Sequence, residues 1–366
     1  MRLCSIASGS SGNCIYVGSE ETHVLVDTGI SGKRIEQGLN QLELTGRDID
    51  AILVTHEHSD HISGLGVMAR RYHIPVYTTG GTADAISRMK NMKNLPEDTF
   101  HEIVEDQDFH IRDLTIHPFS IPHDAAQPVG YRVECEDKAV GIATDLGKYN
   151  DYIVDNLQNL DALLLEANHD IRMLQVGSYP YYLKQRILGD RGHLSNENAG
   201  KLLCRLLHDD MKAVFLGHLS KENNRPEIAM LETYNTATES RQNLPQIVTH
   251  ILQKAFFSHA LRQSNMGCRP KYRRSIMKKT IITVVGNDTV GIIAKVCTYL
   301  AQNQVNILDI SQTIVQGYFN MMMVADTSAS DKEIATLSKE LAALGDEIGV
   351  VIHCQHEDIF NVMHRI

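Results

Sequence analysis

The 366-residue sequence has no apolar run approaching the roughly 18 to 20 residues that a helix needs to span a bilayer. Met1-Arg2-Leu3-Cys4-Ser5 leads into a strand-like pattern and not into a signal peptide, and no low-complexity tract implies disorder. These absences predict a globular chain that stays in the cytoplasm, with no membrane partner. Cysteine pairing is missing too: Cys4, Cys14, Cys135, Cys204, Cys268, Cys297 and Cys354 are seven in number, scattered, and without a Cys-x-x-Cys unit. Neither a disulfide framework nor a thiolate zinc site follows from that spacing. Basic charge is not in excess either. A net charge of −10 argues against a broad basic surface for sequence-independent nucleic-acid binding. It leaves room for a local site, because a pair of divalent cations concentrates positive charge in one cleft. Two common motifs also fail: Ser31-Gly32-Lys33 would need the first phosphate-loop glycine at Asp27, and there is no Gly-x-Ser-x-Gly elbow.

The length exceeds one typical core and predicts two domains. β-Branched and apolar residues between turn residues predict strands at Leu3 to Ala7, Cys14 to Val17, His23 to Val26, Ala51 to Thr55 and Val76 to Thr78. A second series follows at Leu114 to Ile121, Gly130 to Cys135, Ala139 to Thr144, Ala162 to Glu166 and Ala213 to Leu216. Three- and four-residue apolar spacing predicts helices at Ile35 to Leu42, Leu65 to Tyr72 and Asn196 to Leu207, the last with Ser195 as N-cap. Mixed strands and helices indicate an α/β sandwich with functional residues on loops at strand ends. From about Ile247 to Met277 basic residues come without an acidic one, so 247–276 reads as a linker between domains 1–246 and 277–366. It is either a solvated connector or an accessory nucleic-acid contact. Met277-Lys278-Lys279-Thr280 looks like the start of an independent protein, which suggests a fusion of two reading frames.

The strand Ala51-Ile52-Leu53-Val54 delivers Thr55-His56-Glu57-His58-Ser59-Asp60-His61 into a loop. Residues two apart on an extended segment point the same way, so His56 and His58 can grip one ion while Glu57 faces elsewhere. Asp60 and His61 arrive as the chain turns toward a helix and can serve a second ion. Such mixed nitrogen and oxygen ligands suit zinc, manganese or iron(II). A surface histidine cluster, the plainer reading, gives no reason for the strand before it.

Leu25-Val26-Asp27-Thr28-Gly29, the His56 to His61 cluster, Pro122-His123-Asp124, Ala143-Thr144-Asp145-Leu146-Gly147 and Leu216-Gly217-His218-Leu219-Ser220 occur in that order. In this the chain resembles the metallo-β-lactamase superfamily over roughly residues 1 to 235. Ser8-Gly9-Ser10-Ser11-Gly12-Asn13, Glu166-Ala167-Asn168-His169-Asp170 and Gly192-His193-Leu194-Ser195-Asn196 resemble its YycJ/WalJ branch, a relative of ribonuclease Z with nuclease activity on DNA. The resemblance implies an αββα sandwich and two divalent ions (Zn, Mn or Fe). His56, His58 and His123 would hold the first ion, Asp60, His61 and His218 the second, and Asp145 would bridge both. It implies hydrolysis of phosphodiesters by a hydroxide shared between the ions. Asp27 would accept a hydrogen bond from a ligand histidine. His193 would give a proton to the leaving oxygen, a task that suits an imidazole, unless it is only a surface histidine at a helix start. Glu166 and His169 would support His193 or touch substrate, or belong to an ordinary strand-end turn. There is no room between Asp145 and His218 for the extra domain of the RNA-cleaving β-CASP enzymes. The exosite insertion of ribonuclease Z is not evident, which weighs against tRNA processing.

Residues 278–366 spell strand, helix, strand, strand, helix, strand, the βαββαβ order of a ferredoxin-like sandwich. Val285-Gly286-Asn287-Asp288-Thr289-Val290-Gly291-Ile292 resembles the first loop of ACT domains, which bind amino acids or other small metabolites between copies. The resemblance implies an amino-acid effector near Asp288 and Gly291 and a homo-oligomer through this domain; alternatively Asp288 caps the helix and Gly291 permits close packing. Met321, Met322 and Met323 read as core or dimer contact. The preferred reading is a metal-dependent phosphodiesterase, an exonuclease on DNA. Its rivals are a thioester or lactone hydrolase, since one metal core supports both, and a metabolite sensor with an idle hydrolase domain.

Overall fold

The computed structural model describes residues 1–92, 95–96, 98–239, 279–315 and 318–356, so the expected linker lies outside the described residues. The chain divides into two compact units, the first holding the described residues up to 239 and the second those from 279 onward.

The first unit contains two six-stranded sheets. One runs β1 (Arg2–Ala7), β2 (Cys14–Gly18), β3 (His23–Val26), β4 (Ala51–Leu53), β5 (Val76–Thr79) and β6 (Phe100–Ile103) in spatial order. The other holds β7 (Phe109–Ile111), β8 (Leu114–Ser120), β9 (Val129–Cys135), β10 (Lys138–Ala143), β11 (Ala162–Glu166) and β12 (Ala213–Gly217). In both, an antiparallel meander passes into parallel strands: β3 to β6 in the first, β10 to β12 in the second. Helices α1 (Gly32–Gln41), α2 (Ser59–Ile62), α3 (Leu65–Tyr72) and α4 (Gly80–Ser87) belong to the first sheet's half. The second half carries α5 (Asp151–Asn156), α6 (Ile171–Val176), α7 (Tyr181–Leu188), α8 (Asn196–Leu206) and α9 (Pro226–Glu239).

Period-two alternation sorts each strand between two cores. In β2 and β3, Ile15, Val17, Val24 and Val26 face the layer between the sheets, while Tyr16 and Leu25 face α1 and α3 with Ile35, Leu39, Leu65 and Met68. In β10 and β11, Val140, Ile142, Ala162 and Leu164 turn inward, whereas Leu163 and Leu165 pack with Ile153, Leu202 and Leu203 of α5 and α8. Each such fully buried aliphatic side chain contributes about 1.5–3 kcal/mol. The result is the αββα layering expected. Helices α2, α4, α5, α6, α7 and α9 and the edge strands β6 and β7 were not anticipated. Ser195 caps α8, its Oγ accepting from Asn198 N–H at 3.2 Å. No disulfide joins the six described cysteines, and no helix among the described residues is long and apolar enough to cross a membrane.

The second unit is β13 (Lys279–Asn287), α10 (Ile292–Gln302), β14 (Asn306–Val315), β15 (Tyr318–Asp326), α11 (Ile334–Ile348) and β16 (Val350–His356). Its antiparallel sheet has the order β14-β15-β13-β16. Ile282, Val284, Met321 and Met323 pack against Val296, Leu300, Leu337 and Leu341 of the helices. Met322, one residue out of phase, lies outside this core and is only half-buried.

Candidate metal centre

The proposed ligands and the two carboxylates that support them all arise where strands end. Asp27 follows β3, His56 to His61 follow β4, His123 follows β8, Asp145 follows β10, Glu166 ends β11 and His218 follows β12. Parallel strands place their carboxyl ends on one edge, where α/β folds form crevices. Asp27, Asp145 and His218 adopt left-handed backbone conformations, with φ of 61°, 59° and 54°. A non-glycine residue there costs about 1–3 kcal/mol, and all three are residues of the centre at a strand end.

His56, His58 and His123 converge, as do Asp60, His61 and His218, the ligand atoms of each triad lying within 4.8 Å of one another. Asp145 stands between the triads: its Oδ1 is 3.5 Å from His123 Nε2 and 3.6 Å from His218 Nε2, and its Oδ2 is 3.1 Å from His61 Nε2. Within the triads, His123 Nε2 lies 3.3 Å from His58 Nδ1, and His218 Nε2 lies 3.3 Å from Asp60 Oδ2.

Buried acceptors orient these rings. Asp27 Oδ2 accepts from His61 Nδ1 at 2.7 Å, while its carboxylate also accepts from the backbone N–H and the hydroxyl of Thr55, each at 2.9 Å. His123 Nδ1 donates to the carbonyl of Gly192 at 3.1 Å. Glu166, fully buried, accepts from Leu146 N–H at 2.7 Å and Leu194 N–H at 3.0 Å through Oε2. Its Oε1 accepts from Nδ1 of His218 at 2.8 Å and of His193 at 2.9 Å. His193 therefore keeps Nε2 for the cleft that it lines. His169 is buried beside this pair: its ring meets Asn168 Oδ1 at 3.4 Å, its backbone bridges to Ser195, and burial, with the Glu166 and His193 charges acting in opposite senses, lowers its pKa to about 4. Asp288 is exposed on the loop after β13 and does not cap α10, whose N-cap is Gly291. Gly291 holds a φ of 101° with open space around a would-be Cβ, so conformation and not packing requires glycine there.

The donor set fits divalent cations. His56 Nε2 is buried with no hydrogen-bond partner among the described residues. His61 faces Asp145 Oδ2 with Nε2 at 3.1 Å although its Nδ1 is committed to Asp27, so either a proton or a metal cation must lie between Nε2 and that oxygen. Without an ion the electrostatics strain against neutrality. Burial, with its cationic neighbour His61, holds His56 well below the ordinary imidazole range. Burial also opposes charging His61 and His218, yet Asp145 with Asp27 raises the first well above that range, and Asp145 with Asp60 and Glu166 lifts the second to about 10. Asp145 is held well below the carboxylate range, because His218 and His61 outweigh its burial.

Three residues at the site were not singled out in sequence. Asn13 Nδ2 lies 3.1 Å from His61 Nε2, Ser8 Oγ accepts from His218 N–H at 2.8 Å, and Asn168 Nδ2 donates to the His218 carbonyl at 2.8 Å. Ser8 and Asn13 lie in the Ser8 to Asn13 motif, which carried the branch resemblance but whose turn composition gave its residues no individual role. A cleft of about 420 Å³ opens over the centre, lined by His58, Asp60, His193, His218, Tyr179 and Arg186 among others.

Residues 22–218 match the Beta-lactamase superfamily domain, and residues 278–355 the ACT domain. The chain is 41% identical over 235 residues to the exodeoxyribonuclease WalJ of Streptococcus pneumoniae serotype 2, covering 64% of this chain and 87% of that one. It is 63% identical over 90 residues, 25% of this chain, to the whole length of a UPF0237 protein of Bifidobacterium longum. Among solved structures, Zn(2+)-bound PqqB from Methylobacterium extorquens shares the fold, with a TM-score of 0.51 at 17% identity over 66% of this chain and 95% of that one. Strand-end ligands, layering and family matches agree, and the chain belongs to the metallo-β-lactamase superfamily as a metal-dependent hydrolase of the branch that includes WalJ, with an ACT domain as its second unit.

Proposed function

We propose that this hydrolase cleaves phosphodiester bonds of DNA as an exonuclease and holds two divalent ions, one at each triad, with Asp145 between them. The observation that carries the reading is the carboxylate of Glu166, which binds Nδ1 of both His218 and His193. It thereby sets a ligand and a proton donor from one buried point. The relative WalJ, which carries the name exodeoxyribonuclease, supports the substrate class.

Two bound cations would supply Lewis acidity and lower the pKa of a water toward neutrality. The chain supplies the rest. Asp27, Glu166 and the Gly192 carbonyl hold His61, His218 and His123 with Nε2 forward, so these nitrogens already point at the ion positions before any ion displaces their protons. His193 presents Nε2 at the cleft and can pass its proton to the departing oxygen, while Glu166 stabilises the ring that carries it. The ACT domain is proposed as the site of an amino-acid effector.

A panel of labelled single-stranded oligonucleotide, bis-p-nitrophenyl phosphate and a thioester, each with Zn and with Mn, tests the reading. The oligonucleotide should be shortened stepwise from an end, and Asp60→Ala and Asp145→Ala should abolish this while the fold survives. Thioester turnover with intact oligonucleotide would reverse the assignment.

A further inference from the structure

Leu183, Arg186 and Ile187 line the metal cleft from α7, and their spacing puts them on one face of that helix. Among the described residues lining the cleft, Arg186 is the one lysine or arginine, whereas Asp60, Asp124 and Asp145 supply three carboxylates. A permanent cation at this place is fixed from two directions. At the backbone, the Arg186 carbonyl accepts from Gly189 N–H at 3.3 Å, and the next carbonyl, of Ile187, accepts from His193 N–H at 2.9 Å. A Cβ on Gly192 would collide with both of these carbonyl oxygens, so the chain leading to His193 lies directly on the end of α7. At the tip, Nε donates to Asp124 Oδ2, and the other oxygen of that carboxylate lies 3.4 Å from Nε2 of His123. The guanidinium is therefore registered both to the proton donor and to the first triad.

Stability is a poor reason for such placement, since a partly exposed ion pair contributes only about 0–1 kcal/mol. The side chain of Arg186 is 56% exposed, and its Nη groups make no hydrogen bond among the described residues. Only Nε is committed to Asp124, so the far end of the fork is free. Two N–H groups on one planar cation match two oxygens of a phosphate.

We propose that Arg186 binds the backbone phosphate next to the scissile one and so selects substrates with more than one phosphate. Ions at the two triads would serve the group being cleaved. A neighbouring phosphate on the same backbone needs a cation of its own, and Arg186 is the one that the wall of the cleft offers. Such a contact positions the strand and reads neither base identity nor pairing. The inference rests on the phosphodiesterase reading and deepens it: the substrate is a polynucleotide, and a lone diester has no group for Arg186 to hold.

Steady-state kcat/KM of the full chain at saturating Mn is measured on a single-stranded oligonucleotide and on bis-p-nitrophenyl phosphate, which carries one phosphate, over a range of KCl concentrations. The ratio of the two substrates cancels effects on the ions themselves. In Arg186→Ala this ratio should fall about 10- to 150-fold, the equivalent of about 1.4–3 kcal/mol for hydrogen bonds to a charged group. The slope of log kcat/KM for the oligonucleotide against log[KCl] should become shallower by about 0.7, the loss of one phosphate contact. Arg186→Lys should keep the slope and recover only part of the ratio, because an ammonium cannot form the fork. Arg172→Ala removes the same charge from α6, outside the residues lining the cleft, and should leave ratio and slope as in the unaltered protein. An unchanged ratio and slope in a folded Arg186→Ala, or an equal fall in Arg172→Ala, overturns the contact while the phosphodiesterase reading stands. Hydrolysis of bis-p-nitrophenyl phosphate with no cleavage of any oligonucleotide overturns both.

Discussion

Replacing Glu166 by glutamine keeps the shape of a fully buried side chain and removes only its charge and one acceptor. The carboxylate serves four donors, with Leu146 and Leu194 N–H on Oε2 and Nδ1 of His193 and His218 on Oε1. An amide can satisfy one pair only. If its NH₂ faces the backbone pair, donors confront donors, and stranding a buried group costs about 1–3 kcal/mol. If it faces the rings, both must accept at Nδ1 and carry the proton on Nε2, the nitrogen His218 needs for an ion. Ion binding at the Asp60, His61, His218 triad should then weaken about 10- to 100-fold, or about 1.4–2.7 kcal/mol. A chromophoric chelator titration reads the affinity, and melting in metal-free buffer reads the stability. The pH dependence supplies a second signature. Burial alone would raise the Glu166 pKa, but His193 and His218 hold it below its ordinary 4.5. Its stabilising contribution is therefore present above pH 4.5 and lost as pH falls through the depressed value, so the two proteins should converge in stability in acid. Wild-type ion affinity together with wild-type melting in the glutamine variant would refute the role of Glu166 in selecting the tautomers.

Because Asp145 and its neighbours raise the ion-free pKa of His61 and His218, ion uptake must displace protons. Calorimetry in buffers of different ionisation enthalpy should show proton release and an affinity that climbs with pH up to about 10 for the ion-free His218; uptake without proton release counts against these ligands. Gly29→Ala would set a Cβ 1.6 Å from the Asp60 carbonyl, so it should cost about 1–3 kcal/mol or more and lower ion content, as read by melting and elemental analysis. Ser195→Ala removes the α8 cap and should cost about 1 kcal/mol in chemical unfolding. Titration of amino acids into the full chain should give saturable heat with at least one, and Asp288→Ala should weaken it; a silent panel argues against an amino-acid effector.

The layering was legible because strands such as Cys14 to Gly18 and Ala162 to Glu166 are short, apolar and bounded by turns, and that pattern needs no tertiary information. Helices α6 and α7 were not legible. Gly177, Ser178 and Pro180 interrupt two helices of six and eight residues, and each helix has one buried position, Leu174 and Ile187, too few to set a period. The residues brought to the centre were readable from motif order, since their types are restricted by ion chemistry. Who orients whom was not readable. Glu166 and Asp27 act through contacts spanning 52 and 34 positions.

Asp27, His56, His58, Asp60 and His61 come from the first sheet's half, whereas His123, Asp145, Glu166 and His218 come from the second. Each triad draws ligands from both halves, so an ion held there would act as a rivet through the sandwich, and a chelator added to the ion-loaded protein would work as a mild denaturant aimed at one line. Heat would then be expected to part the halves first along that line whenever the rivet is missing.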